Sequence, residues 1–545
     1  MRHRIISGLY IAALLLLSNA QVLAQGSTSS NNYLVYGFVA IIAILILGLV
    51  VQVSDNLLAI EAKQMGVDKS GANFSIFPRL NEIFTPNAPE YAADAPVKTL
   101  KKGLDILLQG EAPLVIDSNI QANTFAVQPG NFLGMSPIPK LEVEVGKNVL
   151  AGDVLFYDKK RPEIKYVAPV SGEIIAVNRG DKRAIKEVVI LADKTIKYRE
   201  IPAFNLETET REALVNFLLD TGAWSLLVQR PFDVVPEPTD IPRDIFITTF
   251  DTAPLAPNLS FVVQGREVAF QRGLDLLRKL TPGKVYLGLD ARGKEAPATA
   301  FTEAQGVEKT WFRGKHPAGN VGVQIHHTAP IKPGDRVWAL NVQDVITLGA
   351  LLTERRFNAE RVIALTGVEL KKPTYVRTYI GANIADLVKD NLVKDHVRFI
   401  SGDVLSGKQK AADSFLNFHD DQLTVVEEGD YYEMFGWLIP KFTPTGSKAF
   451  PNALFPDIRF KADTNTHGEE RAFVMSGQYE AVLPMDIYPM HLMKAILAND
   501  FERMEGLGIY ELSEEDVALC EFVCTSKQPI QEILREGLNT MYEQS

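Results

Sequence analysis

Two groups of residues in this sequence have the types and spacing to do chemistry. The first is His316-Pro317-Ala318-Gly319-Asn320-Val321-Gly322, followed closely by His326 and His327. Gly319 and Gly322 would let backbone N–H groups approach a ligand with no Cβ in the way, and an adjacent imidazole could donate to a carbonyl oxygen. The same stretch also reads as a plain structural loop. A zinc site would need three or more converging ligands, and neither an H-E-x-x-H pattern nor a cysteine accompanies these histidines. The second group is Cys520 and Cys524, the only two cysteines of the chain. They lie one helical turn apart on one face. Two thiolates hold a metal only with ligands from elsewhere, so the pair reads as structural cysteines or, at most, as a vestigial or inter-subunit site. A third stretch, Leu483 to Met493, contains Met485 and His491 among other methionines and aromatics. Such adaptable surface suits a helix core, a flat ring or a partner helix. No Ser-His-Asp or Cys-His arrangement has a recognisable local signature, and no residue is assigned a catalytic role.

These residues must be positioned by elements of several kinds. Leu141–Val149 alternates at period two, turns through Ala151-Gly152-Asp153 into Val154–Tyr157, and a second set follows from Tyr166 to Val177. This pattern resembles the barrel-sandwich fold of biotinyl and lipoyl carriers, with Asp158-Lys159-Lys160-Arg161 at the hairpin where a carrier displays its lysine. The E-x-x-K or M-K-M signature is missing, and a run of cations on a tip is ordinarily just solvated. A helix is expected over 207–220. Strands over 245–250 and 285–290, with a helix from Glu267 to Leu280 between them, read as a βαβ unit of a Rossmann-like α/β layer. No G-x-G-x-x-G follows either strand, so dinucleotide binding of that kind has no support. Residues 361–406 are β-rich, and the run 376–387 resembles the soluble-ligand-binding β-grasp (SLBB-like) module. Helices are expected over 485–497 and 530–542, and another after Ser513, an N-cap followed by three acids.

The front of the chain is different. A basic start and a short apolar run, Ile5–Leu17, resemble a secretory signal with a cut after Ala24, or a first transmembrane helix. Residues 33–51 carry no charge, span roughly 28 Å as a helix, and read as a transmembrane helix over 33–53. Lys63 and Lys69 follow it while residues 25–32 have no Lys or Arg, which places the body on the cytoplasmic side. The expected organisation is therefore 1–24 signal or first helix, 33–53 membrane helix and 54–97 linker. The body would comprise 98–203 barrel-sandwich hybrid, 204–357 α/β, 358–430 β-grasp and 431–545 a mostly helical C-terminal domain. The net charge of −11, with no basic stripe, argues against nucleic acid as a partner. Two cysteines exclude an iron–sulfur cluster ligated by this chain alone.

The modules, in this order, resemble one family: the A subunits of the bacterial Na+-translocating NADH:quinone oxidoreductase (Na+-NQR). The resemblance rests on Lys101-Lys102-Gly103-Leu104-Asp105, Val177-Asn178-Arg179-Gly180, Arg230-Pro231-Phe232, His316-Pro317-Ala318-Gly319, Ser401 to Gly407, and Glu511 through Cys524. It covers about 98–545, so the N-terminal hundred residues look like an added membrane anchor. It implies a respiratory-chain component of the bacterial inner membrane, associated with quinone and binding no cofactor itself. FMN, riboflavin, FAD, [2Fe–2S] and the Na+ path would belong to the other five subunits, B to F. The residues offered for quinone or ligand contact are His316, Gly319, Gly322, His326, His327, Met485 and His491. The alternatives are a chain that binds NADH and FMN itself, as in the related C subunit of the Rnf-type ferredoxin:NAD oxidoreductase, and a non-catalytic tether.

Overall fold

The computed structural model describes residues 37–43, 46, 54, 89–92, 95–135, 138–432 and 458–544. The chain divides into two compact units, 1–87 and 88–545. In the first, residues 37–43 are helical, and Val39 and Ile41 expose more than half of their surface. Among the described residues no helix is long and apolar enough to cross a membrane. The signal over 1–24 and most of the expected span over 33–53 lie outside the described residues.

The second unit begins before the expected linker ends. Glu90–Ala92 forms a 3-10 turn that buries Ala92, and Tyr91 packs on Trp311 with ring centroids 5.3 Å apart. The reason is chemical: Tyr91 has an aromatic face to bury and an O–H that donates to the Gly293 carbonyl at 2.8 Å.

The barrel-sandwich module has a four-stranded sheet, Thr124–Val127, Ile185–Ala192, Gly172–Arg179 and Asn148–Val149 in spatial order, and a three-stranded one, Lys140–Leu141, Val154–Asp158 and Arg161–Val167. All pairings are antiparallel. Phe156, Ile164, Tyr166 and Val188 fill its interior. The alternating run 141–149 is not one strand. Leu141 pairs with Phe156 in one sheet and Asn148 with Glu173 in the other, because Gly146 adopts φ +90° and the chain turns there.

The α/β module is a six-stranded sheet in the order Val97–Thr99, Glu308–Arg313, Val285–Asp290, Ile245–Thr248, Val337–Leu340, Val228–Arg230, parallel except for the last strand. Helix Glu267–Leu280 buries Phe270, Leu274, Leu277 and Leu280, an i, i+4, i+7, i+10 stripe against the sheet layer. Helix Val342–Thr353 starts where Asn341 accepts the Asp344 N–H at 2.7 Å. The β-grasp sheet runs Thr374–Tyr379, Glu360–Thr366, Gln422–Glu427, Val397–Ser401, Lys408–Lys410. One continuous apolar core joins these three modules. A second core lies among helices Tyr479–Val482, Pro489–Leu497, Phe501–Gly506, Glu514–Phe522 and Ile530–Gln544. Residues 458–478 have no helix; Phe460 and Asp463 instead bridge to Leu108 and Glu427.

The strand Val97–Thr99, at the start of the expected barrel-sandwich stretch, belongs to the α/β sheet. From there Leu100 enters the helical core, Leu108 bridges to Phe460, Ala112 packs with Val362 and Tyr375, and Ile116 bridges to Tyr375. Residues 97–117 thus form a strap across three modules before the barrel begins at Thr124.

Candidate functional site

In the α/β sheet the chain moves from Ile245–Thr248 to one side through Val285–Asp290 and Glu308–Arg313, then returns to the other side at Val337–Leu340. The carboxyl ends of these parallel strands deliver the loops 249–255, 291–298 and 314–320 to one edge, where α/β folds ordinarily bind ligands. His316, Gly319 and Gly322 lie on the last of these loops and the helix Val321–Thr328 that follows it.

His316 is 3% exposed. Its N–H donates to Asp105 Oδ1 (3.0 Å) and its carbonyl accepts from the Leu104 N–H (3.0 Å). Thr252 Oγ1 accepts the Gly319 N–H at 3.0 Å and lies 3.1 Å from His316 Nδ1. The loops touch backbone to backbone, since a Cβ on Gly319 would fall 2.7 Å from the Thr252 nitrogen. When Thr252 donates to Nδ1, the ring proton sits on Nε2, a buried atom with no hydrogen-bond partner. Burial drives the His316 pKa down, against the pull of the Asp251, Asp403, Asp105 and Asp516 carboxylates, so the ring is held neutral. Burial pushes Asp251 the other way, and Asp403 adds to the rise.

The facing wall comes from the C-terminal helices. Asp516 caps its own helix, accepting from the Ser513 N–H (3.0 Å) and Oγ–H (3.1 Å). The same Oδ2 pairs with Arg230 Nη1 at 3.2 Å, while Oδ1 is buried and unpartnered. Arg230 also holds Glu515 at 2.6 Å and Asp233 at 3.2 Å. Asn320 Nδ2 donates to the Glu515 carbonyl at 2.9 Å. A Cβ on Gly322 would lie 2.2 Å from Asp516 Oδ2, so the first turn of the Val321–Thr328 helix sits directly on this carboxylate. The arrangement can present a neutral imidazole N–H inside a carboxylate-lined interior.

The remaining candidates are elsewhere. His326 and His327 end the same helix and hold the C-terminal region. His326 Nε2 accepts the Asp486 N–H at 3.1 Å, which leaves the proton on Nδ1 to donate to Glu511 Oε2 at 2.7 Å. His327 Nε2–H donates to the Pro484 carbonyl at 2.6 Å, and burial lowers its pKa. Met485 lies buried between those two anchor points, in the helical core. His491 is exposed, its ring edge-on to Tyr488 at 6.2 Å. Cys520 and Cys524 are free and buried, and burial raises the Cys520 pKa. The Tyr479 O–H donates to Cys524 Sγ at 2.8 Å. Among the described residues no three or more His, Cys, Asp or Glu could hold a metal ion together. The carrier-like hairpin does present Lys159 and Lys160 at its turn, but its base is fixed. Buried Asp158 and Arg161 pair at 3.2 Å, and Arg161 donates to the Val235 carbonyl at 3.0 Å.

Sequence reasoning misses Asp251, Thr252, Arg230, Asp403 and Asp516. For Asp251 and Thr252 a signal exists: they directly follow a strand of the βαβ unit, at its carboxyl end. The others come from distant segments that only the fold assembles.

The family model described as the NqrA N-terminal barrel-sandwich hybrid domain matches residues 98–193, the NqrA second alpha/beta domain 209–357, and the NQRA C-terminal domain 362–412. The A subunit of the Na(+)-translocating NADH-quinone reductase of Shewanella frigidimarina is 40% identical over 449 residues, covering 81% of this chain and 99% of the relative. Its counterpart in Alcanivorax borkumensis is 38% identical, covering 81% and 98%, and that in Vibrio atlanticus 38%, covering 81% and 99%. The air-oxidized NAD+-reducing [NiFe]-hydrogenase is alike only distantly, at 13% identity and a TM-score of 0.31 over 64% of this chain and 67% of that one. On the three family matches and these relatives, the chain belongs to the NqrA family, the A subunits of the Na+-translocating NADH-quinone reductase, the enzyme complex that couples NADH oxidation by quinone to Na+ transport.

Proposed function

We propose that this chain is the quinone-side docking subunit of its complex and carries no redox cofactor of its own. FMN, riboflavin, FAD and [2Fe–2S], together with the Na+ path, reside in the partner subunits, B to F. The observation that carries this reading is His316. A neutral imidazole with a buried, unpartnered Nε2 is a hydrogen-bond donor matched to a quinone carbonyl oxygen. Gly319 and Gly322 keep the backbone around it close. His326, His327 and Met485 support this wall from behind, and His491 offers a separate exposed contact. The ring lies beneath the contact between loops 249–255 and 314–320, so a quinone reaches it only when they part. Na+ translocation needs a bilayer, and the uncharged run 33–51 supplies an anchor in the bacterial inner membrane with the body on the cytoplasmic side.

The test uses the assembled complex and an azido-quinone photolabel. Saturable labelling of this chain, competed by unlabelled quinone and reduced several-fold by His316→Leu, is expected. Absence of saturable labelling overturns the quinone contact. Stoichiometric flavin or iron in the purified full-length chain overturns the cofactor-free reading.

A further inference from the structure

Away from the loop edge, helices Glu267–Leu280 and Val342–Thr353 and the start of strand Glu360–Thr366 frame a cleft of about 180 Å3. Val268, Ala269, Ile346 and Ala350 form its apolar lining, and Arg266 lines it among polar residues. A cavity of about 150 Å3 accommodates a benzene ring, so this one has room for roughly half a dozen non-hydrogen atoms.

Arg266 sets the chemistry. Its Nη2 donates to the Val262 carbonyl (3.1 Å) and Gln343 Oε1 (2.8 Å), its Nη1 reaches the Glu360 carbonyl at 3.5 Å, and its Nε is buried without a partner. Every one of those acceptors is uncharged. Among the described residues no carboxylate lies within 4 Å of this guanidinium, whereas the buried Arg161, Arg230 and Arg361 each have one. Charges of both signs surround it: burial, with Arg361 and Arg377 nearby, pushes Arg266 down to about 10, while the Glu360 and Asp421 carboxylates pull the other way. The two acids at the cleft are already committed. Glu360 pairs with Arg377 at 2.6 Å, and Glu354 with Arg356 at 2.6 Å and Asn358 at 3.2 Å. Arg266 also occupies the N-cap position of the 14-residue helix Glu267–Leu280 without a side-chain cap bond, and Glu267, which accepts the Gly265 N–H at 2.9 Å, already stands at the positive end of that helix. A partly buried cation with no carboxylate in hydrogen-bond range, lining a small cleft that has an apolar wall, suits an anion with a short hydrocarbon tail.

We propose that this cleft binds a carboxylate on a short aliphatic chain, Arg266 taking the carboxylate and Val268, Ala269, Ile346 and Ala350 the methylenes. A free short-chain acid and an acidic side chain of a partner polypeptide share this chemistry, and the experiment separates them. The full-length chain in detergent is titrated with valerate, and with valeramide as its uncharged counterpart, while thermal unfolding is followed. Valerate gives saturable stabilisation at up to tens of millimolar; valeramide gives none. R266Q weakens valerate binding about tenfold or more, the scale of a lost charge-assisted hydrogen bond. V268E, at a position 70% exposed on the rim, places a competing carboxylate there and weakens it too without a burden on folding. In the assembled complex, an unchanged valerate response identifies a free acid as the occupant. Loss of the response, with cross-linking from V268C to a neighbouring chain, identifies a partner's acidic residue. No saturable response to valerate in the isolated chain, an equal response to valeramide, or indifference to both substitutions overturns the proposal.

Discussion

His327 donates its Nε2–H to a backbone carbonyl in a neighbouring region of the chain, and burial holds its pKa below the ordinary value of about 6.5. Between the folded and unfolded pKa values the unfolded chain binds more protons. Stability from this group is therefore complete above about pH 6.5 and is lost as the pH falls through the folded value. His316 contributes with the same sign. His327→Gln keeps a donor for Pro484 and removes the titration, so the fall in Tm between pH 7 and pH 5 is expected to be shallower in the variant. Circular dichroism melts across that range check it, and an unchanged slope would contradict the assignment. None of this could be read from residue order. The two imidazoles read as ligand contacts because they stand near glycines; their partners in the fold, Pro484, Asp486 and Glu511, all lie more than 150 positions away.

At the scale of elements, the helices Glu267–Leu280 and Val342–Thr353 meet closely enough to need two glycines. A Cβ on Gly349 would fall 1.7 Å from the Ala269 carbonyl oxygen, and one on Gly273 2.1 Å from that of Val345. Alanine favours a helix over glycine by about 1 kcal/mol, but overpacking costs about 1–3 kcal/mol and a carbonyl cannot rotate aside like a side chain. Gly349→Ala is expected to lower stability by up to about 2 kcal/mol, measurable as a reduced urea midpoint at unchanged slope. The first of these helices was legible in the sequence to the residue, since its apolar stripe repeats at i, i+3 and i+4. The N-cap at Ser513 was equally plain, since its partners are local; the structure completes it as a capping box with Asp516. The split of 141–149 between two sheets was not, because period-two alternation continues across the turn at Gly146. The three-residue strand Val97–Thr99 was invisible for a simpler reason: it is too short to have a period, and its partner is more than 200 positions on.

For the whole molecule, the strap 97–117 matters more than its length suggests. Leu100 is 8% exposed and Leu108 2%, each buried against a different part of the body. At about 1.5–3 kcal/mol for each such side chain, their loss compares with the roughly 5–15 kcal/mol that holds a domain folded. Deleting residues 1–117 is thus expected to leave an insoluble or strongly destabilised protein, whereas deleting 1–88 leaves the body folded. Solubility and cooperative melting of the two truncations decide it. The same interlocking gives the two thiols an unplanned use. Cys520 and Cys524 sit in the interior of the C-terminal helices, out of reach of an alkylating reagent while the native packing holds. Their rate of modification therefore counts how often that region breathes, and makes the chain its own stopwatch for local opening.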